Sequence, residues 1–357
     1  MQMLSFTVEH LRARAQAVLE AAGAPADLAQ LVGHALVDAN LMGHDSHGVI
    51  RLIEYTKLVH TGQIKPAARP TVLDAEGADS ATAAVAHVDG AWGWGQAAAQ
   101  LATSVAIERA GRFGLAAVTI SHCNHVGRLG EYPERMARAG LIGIALCNAG
   151  ASVTPFGGMK RLLGTNPIAM GLPRPGQQDP ILVDLATAAV AEGKLRVARV
   201  KGEAVAPGLI LDKHGQPSQD PQAFYDDGFI LPFGGHKGYS LSVMVELLGG
   251  ALSGAGPSSS AAFHGGNGVF MLALNIPAFL PPEQFESFVQ ELCANILSAP
   301  PAPGQGAVLL PGDPEWAARR QRQAHGIELP EATWGAIEAL GKDIQATETE
   351  THSVERP

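Results

Sequence analysis

The sequence predicts a mixed α/β or α+β fold, in which helical segments at the two ends of the chain bracket a central region built on a partly antiparallel sheet. Three observations carry this. Apolar residues recur at helical spacing through residues 1–70, and short β-rich runs then alternate with helical ones. The turn Asp212-Lys213-His214-Gly215 and the corner at Lys201-Gly202 read as hairpins, which join antiparallel neighbours. The expected division is an N-terminal helical segment (1–70), a central α/β domain (71–303), C-terminal helices (304–345) and a disordered tail (346–357).

From Thr7, the positions Leu11, Ala15, Val18, Leu19 and Ala22 form one face of a helix, with Thr7 as its cap and Gly23 as its stop. A second helix follows Pro25, capped by Asp27, carrying the stripe Leu28, Leu31, Val32, Ala35, Leu36 and Ala39 and ending near Gly43. The third runs from Ser46 to Gly62 through Val49, Ile50, Ile53 and Val59, and Pro66 to Pro70 leads the chain out. β-rich runs at 83–88, 115–120, 141–147, 181–183 and 269–274 then alternate with helices near 97–112, 131–139 and 239–252. Ser258-Ser259-Ser260 reads as a mobile loop. Beyond Pro303, helices return at 316–323 and 331–340, and 346–357 has the composition of a tail.

Composition narrows the partners. Of 357 residues, 42 are glycine, well above the usual ~7 %, so the fold calls for unusual backbone in many places. Hydrophobic residues make up 46 %, enough in a chain of this length for a large core without a metal or disulfide staple. A net charge of −9 without any basic run argues against a nucleic-acid or anionic-membrane surface and leaves a small molecule as the expected partner. The three cysteines, Cys123, Cys147 and Cys293, form no CxxC, which fits a reducing cytoplasm. No apolar signal core follows Met1 and no apolar stretch reaches spanning length, so a soluble protein that is not exported is expected.

No G-x-G-x-x-G turn, G-x-x-x-x-G-K-[ST] loop, G-x-S-x-G elbow or H-E-x-x-H occurs, so the Rossmann, P-loop and commonest hydrolase readings fall away. Four clusters remain. In Gly43-His44-Asp45-Ser46-His47-Gly48-Val49-Ile50-Arg51, Ser46 is placed to cap the third helix, and helix starts favour anions. His47 and Arg51, four apart, share a helical face, so one carboxylate ligand can meet both. Arginine suits bidentate carboxylate binding, and histidine moves a proton near neutral pH. The same residues also suit an ordinary solvated helix start.

The second cluster, Ser121 to Gly130, follows the strongest predicted strand, where α/β sheets place reacting groups, and makes His125 a candidate general acid or base. His122 and Cys123 read as packing at a strand end. His44/His47 and His122/His125 give two H-x-x-H spacings, yet no third ligand stands at a persuasive distance, so no metal is expected. The third is a set of glycine-rich turns at 155–158, 164–167, 232–238 and 311–313, whose N–H groups can cradle anions, with Lys237 to answer a phosphate or carboxylate. Together they suggest a polyanionic cofactor held by scattered loops. The fourth, Asp184-Leu185-Ala186-Thr187, offers a carboxylate for a ribose hydroxyl or a histidine, or a cap for a helix starting near Thr187; the cap is the favoured reading.

The segments GHDSHGVIRL, HVGRLGEYPERMARAG, PFGG-x5-GTNP, DLAT-x4-AEGK, PFGGHKGY and LLPGD, in that order from residue 43 to 313, resemble the type-2 malate/lactate dehydrogenase family. ANLMGHDSHG, HKGYSLSVMVELLGGALSGA and RRQRQAHGIELPEATW look most like its bacterial hydroxycarboxylate dehydrogenase B type. The resemblance implies a non-Rossmann NAD(P)-binding domain beside a helical domain built from both termini. It also implies a homodimer that uses NAD(P)H to interconvert 2-oxo and 2-hydroxy acids of the phenylpyruvate, hydroxyphenylpyruvate, glyoxylate or malate/lactate type. By position, His47 and His125 are the proton-transfer candidates, and the resemblance does not choose between them. Ser46 and Arg51 stand beside the substrate carboxylate. Asp184, Leu185, Ala186, His236, Lys237, Pro311, Gly312 and Asp313, with Asn148 and Thr165, match cofactor contacts. Val126 and Leu129 depart from a commoner aromatic and small residue, which bears on pocket shape, and Asp313 departs from a commoner Glu. Two other activities fit these residues: reduction of a cyclic imine acid, which needs the same carboxylate clamp, and metal-dependent hydrolysis or lysis on the paired histidines.

Overall fold

The computed structural model describes residues 2–73, 83–176 and 178–340, so the tail expected over 346–357 and the end of the 304–345 segment lie outside the described residues. The strand β1 (Met3–Phe6) leads into α1 (Val8–Ala21), whose cap is Thr7, its side chain accepting from the His10 amide. In α2 (Ala26–Leu41) the N-cap is Pro25 rather than Asp27; Asp27 lies in the first turn, 2.7 Å from Arg69. The third helix is broken. A 3-10 turn over Asp45–His47 is followed by Gly48 in extended conformation and only then by α3 (Arg51–His60). Ser46 therefore caps no α-helix, and His47 does not share a helical face with Arg51. The cause is Asn40 at the end of α2, fully buried, whose Nδ2 donates to Asp45 Oδ1 at 2.7 Å while its Oδ1 accepts from Val49 N at 2.8 Å. Local side-chain bonds to this turn replace a helical start. Gly48 is required because a Cβ there would overlap the Asn40 carboxamide.

The central region runs through β2 (Thr71–Leu73), β3 (Val85–Asp89), α4 (Gly95–Phe113), β4 (Leu115–Ser121), α5 (Glu131–Arg138), β5 (Leu141–Cys147), β6 (Ile168–Leu172) and β7 (Ile181–Leu185). After α6 (Glu192–Lys201) come the short strands β8 (Ile210–Leu211) and β9 (Pro217–Ser218), α7 (Gln222–Tyr225) and β10 (Phe229–Ile230). Then α8 (His236–Val245) passes into a π-helical turn, Glu246–Ala251, before β11 (Val269–Asn275), α9 (Pro282–Leu297), α10 (Asp313–His325) and β12 (Ile327–Pro330). Residues 331–340 are helical.

The seven-stranded sheet has the order β2-β3-β4-β11-β5-β6-β7, and only β3 and β4 run parallel. The chain is α+β, with a mixed, largely antiparallel sheet. β11 enters the middle of the sheet from far along the chain, so its alternating Val269, Met271 and Ala273 are buried there. Against them pack Ala98, Ala102, Ala106 and Ala110 of α4, small residues that let the helix lie close. A second core joins Leu11, Leu36, Leu52 and Tyr55 to Trp94 and to Ile327, Leu329, Trp334 and Ile337 from the other end of the chain. Each such side chain contributes about 1.5–3 kcal/mol on burial, so the two ends stabilise one another.

The Asp212–Gly215 turn does join β8 to β9 as a hairpin. Lys201-Gly202 does not: Gly202, at φ 66°, is the left-handed cap of α6. The serine run is no free loop, since Ser258 is buried and its amide donates to Glu246. The sequence pattern gives no counterpart for β1, β2, β6, β10, β12, α7 or α9. Among the described residues no helix is long and apolar enough to cross a membrane.

Candidate active site

His47, on the 3-10 turn, and His125, in the loop from β4 to α5, face one another with ring centroids 5.4 Å apart and planes inclined by 27°. One comes from the terminal helical core and the other from the sheet. The His125 loop is pinned by Asn124, whose Nδ2 donates to the carbonyls of Trp92 and Gly93, each at 2.9 Å. The start of α4 lies so close that a Cβ on Gly95 would overlap the carbonyls of Asn124 and His125. Arg51 joins from α3. Its Nε donates to the Ser46 carbonyl at 2.7 Å and its Nη1 pairs with Glu54 at 2.5 Å; among the described residues Nη2 meets no acceptor. The start of α6 at Gly193 lies against Ser46.

Two residues that sequence reasoning missed complete the arrangement. Tyr55, one turn after Arg51 and 1 % exposed, places its hydroxyl 2.8 Å from His125 Nδ1 and accepts from Gln96 Nε2 at 2.8 Å. With the Gln96 amide oriented this way, the tyrosine O–H is left to donate to Nδ1. The Gly127 amide donates to the same nitrogen at 3.3 Å. Nδ1 is then an acceptor, and neutral His125 carries its proton on Nε2. The one available signal was Gln96 itself, a polar residue in an alanine-rich helix that proves 1 % exposed.

Electrostatics keep both rings neutral at rest. Burial, then Arg51 and His44, push His47 down to about 3. His125 is held well below the usual histidine range by burial, then by Arg51 and His47. The Tyr55 phenol is raised by burial, so it stays protonated. His47 Nδ1 lies 3.0 Å from Ser46 Oγ. The four residues expected to meet substrate, Ser46, His47, Arg51 and His125, are thus brought together, by a turn rather than by the helical face expected from their spacing.

The expected cofactor residues fall into two groups. Asp184, Leu185 and Ala186 lie at the end of β7, and the Asp184 carboxylate accepts from Gly130 N at the start of α5 at 2.8 Å. It caps no helix near Thr187, because none begins there. Instead the Thr187 amide donates to the Thr165 carbonyl at 2.9 Å, Phe233 N donates to the Thr187 carbonyl at 3.0 Å, and Leu182 N donates to the Pro311 carbonyl at 3.1 Å. The segments around 165, 184–187, 232–238 and 311–313 are laced into one surface. His236 and Lys237 are exposed on the first turn of α8, whose N-terminus has no side-chain cap and is preceded by Gly234 and Gly235 at φ 56° and 63°. Such an uncapped start beside a lysine fits a pyrophosphate. Gly312 is closed in by Leu182 and Trp316, and Asp313 accepts from its own turn at Leu310 N, 2.9 Å away.

Asn148 belongs elsewhere. It is fully buried and its side chain is committed to Glu246, Gly256 and Gly268, so it has no face toward a ligand. Val126 and Leu129 are core residues under the sheet, not pocket walls. The paired histidine spacings diverge: His44 lies 4.0 Å from Glu315, while His122 turns to Asp89 at 3.1 Å. Among the described residues no three metal-capable side chains converge.

The sequence profile of the malate/L-lactate dehydrogenase family matches residues 6–338. Hydroxycarboxylate dehydrogenase B of Escherichia coli K12 is 36 % identical over 344 residues, 93 % of this chain and 92 % of that one. The sulfolactate dehydrogenase structure from Methanocaldococcus jannaschii superposes with a TM-score of 0.86 at 29 % identity, covering 96 % of this chain and 98 % of that one. The Δ1-piperideine-2-carboxylate reductase structure from Pseudomonas syringae pv. tomato gives 0.82 at 30 % identity, covering 94 % and 99 %. The chain belongs to the malate/L-lactate dehydrogenase family, and with it to the oxidoreductases that act on hydroxy acids.

Proposed function

We propose that this member of the malate/L-lactate dehydrogenase family interconverts a 2-oxo acid and its 2-hydroxy acid, with NAD(P)H as the redox partner and Arg51 as the carboxylate clamp. The observation that carries the reading is the pair of facing imidazoles, 5.4 Å apart, with a guanidinium at their side. A bound reduced nicotinamide supplies the hydride; the exposed first turn of α8 with His236 and Lys237, and the surface laced around Asp184, Leu185, Ala186, Thr165 and Pro311–Asp313, are the residues that would hold it.

The chain's own part is orientation and proton handling. Arg51 places the acid so that its reacting oxygen meets the histidine pair, with Ser46 beside the carboxylate. His125 offers Nε2–H to that oxygen, since Tyr55 and Gly127 occupy Nδ1. A carboxylate on Arg51 offsets one of the causes that keep both imidazoles neutral. Substrate binding thus weakens the opposition of Arg51 to a protonated imidazole. The proton that reduction delivers to the oxygen is one the pair takes from solvent on His47, since on His125 Nε2 carries a hydrogen and Nδ1 accepts from Tyr55 and Gly127. We further propose a homodimer, to be checked by light scattering.

Turnover is tested by loss of reduced-nicotinamide absorbance with glyoxylate, pyruvate, oxaloacetate, phenylpyruvate and hydroxyphenylpyruvate, using NADH and NADPH in turn. Turnover of one or more is expected, and none with any pair removes the reading. The likeness to the piperideine-carboxylate reductase supports a second substrate class, since a cyclic imine acid presents the same carboxylate. Faster turnover of Δ1-piperideine-2-carboxylate than of phenylpyruvate decides for it. Full activity after exhaustive chelation is expected, and activity lost to chelator and restored by zinc or iron would favour the metal-dependent alternative.

A further inference from the structure

We propose that Glu246 and Asn267 are positioning residues: a buried ladder of hydrogen bonds from Glu246 through Asn148 and Asn267 to Val126 fixes the loop that carries His125. Glu246 is 5 % exposed and opens the π-helical turn at the end of α8. Single π turns within helices recur at functional sites. Its Oε1 accepts from Asn166 Nδ2 at 2.8 Å and Gly164 N at 3.3 Å, and its Oε2 accepts from Ser258 N at 2.8 Å and Asn148 Nδ2 at 3.3 Å. Ser258 Oγ lies 2.7 Å from Oε1. Among the described residues no cation pairs with it. Burying a carboxyl group is costly, and an apolar residue of similar size would fill the space at less cost. What the carboxyl group adds is a tie between three loops.

The tie extends to the reacting ring. Asn148, held by Glu246, accepts on its backbone carbonyl from Asn267 Nδ2 at 2.6 Å. Asn267, 5 % exposed, accepts on Oδ1 from Val126 N at 3.0 Å, and its own amide donates to the Cys123 carbonyl at 2.8 Å. One asparagine therefore grips the chain on both sides of His125. Tyr55 sets the tautomer of that ring; the ladder sets where the ring stands. Displacement of a reacting group by about 1 Å can cost ~100-fold in rate, so a tie that fixes both sides of His125 bears on turnover. The inference rests on the reading of His125 as the group that meets the substrate oxygen.

The test compares Asn267→Ala in the full chain with Asn267→Ala placed on His125→Ala. We expect kcat to fall about 10–100-fold in the first, with KM for the oxo acid changed less than about threefold, and little further loss in the second, because the ladder acts through His125. Equal losses in both backgrounds overturn the proposal. Imidazole nitrogen NMR gives a second readout that needs no turnover: the His125 signal, identified by its absence in His125→Ala, should shift or broaden in Asn267→Ala. An unchanged signal overturns positioning. A shifted signal in a chain that reduces no oxo acid upholds the ladder and removes only the substrate reading. If Asn267→Ala fails to fold, Glu246→Gln carries the same readouts, since it keeps the shape but sets an N–H against one of the donors.

Discussion

Replacing Tyr55 by Phe separates the orientation of His125 from its burial. The ring stays, so the contact with Trp94, centroids 6.0 Å apart, and the packing of a residue 1 % exposed are retained. One oxygen is lost. Gln96 Nε2 loses its acceptor at 2.8 Å, in a carboxamide whose Oε1 is already without a partner, and His125 Nδ1 keeps only the Gly127 amide at 3.3 Å. Leaving a buried polar group unpaired costs about 1–3 kcal/mol, which should appear as a lowered Tm. In the reaction, the ring no longer has its tautomer held, and we expect kcat to fall about tenfold, equivalent to ~1.4 kcal/mol of the barrier. KM for the oxo acid should hardly move, because Arg51 keeps its bonds to Ser46 and Glu54. The assay is steady-state oxidation of reduced nicotinamide with the best 2-oxo acid, beside a thermal melt. A lowered Tm with unchanged kcat would refute the reasoning, since Tyr55 would then serve packing alone; so would a loss confined to KM.

Three further outcomes follow from the same geometry. Arg51→Gln should raise KM for the oxo acid about 10–100-fold, the worth of a charge-assisted hydrogen bond at ~1.5–3 kcal/mol, and a loss in kcat alone would take the carboxylate away from Arg51. Gly48→Ala should lower the Tm and the activity together, since the new Cβ displaces the Asn40 carboxamide that shapes the His47 turn; an unperturbed melt would show that the turn is held by other means. Because folding lowers the His47 pKa from 6.5 to about 3, the unfolded chain takes up a proton there that the folded chain refuses. This contribution to stability is full above ~6.5 and declines as the pH falls from there toward 3, by at most ~1.4 kcal/mol per unit. Urea midpoints at neutral and mildly acid pH should therefore diverge less in His47→Gln than in the wild type, and equal divergence would assign the acid sensitivity elsewhere.

The sequence exposed those parts of the molecule whose causes are local. Thr7 caps α1 because its oxygen is three residues from the His10 amide, and the strand 141–147 is legible because its apolar residues are contiguous. The break at Gly48 was not, because its cause is Asn40, a buried side chain from the preceding helix. Ser46, His47, Arg51 and His125 are nevertheless brought together, since a turn can gather groups that a helix also would. Asp184 was read as a cap for its own segment and instead serves α5, a partner 54 positions away. Nothing in its spacing marks Tyr55; only the fold brings its hydroxyl to a loop 70 positions further on.

These distant links share one location, and that has a consequence for how stability and chemistry are coupled. Tyr55 and Trp94 are buried in the core made by the two chain ends, while Gln96 opens the helix that covers the sheet, and His125 leaves the sheet itself. His47 reaches the same point from the helical side. The spacing of the two imidazoles is therefore a property of the junction between two cores, not of either. Small residues allow the junction to close: Gly95 lets α4 meet the His125 loop, as Gly48 lets α2 meet the His47 turn. A substitution that loosens the terminal helices against the sheet should lower kcat before it unfolds the chain, because proton transfer depends steeply on distance while the two hydrophobic cores remain separately packed.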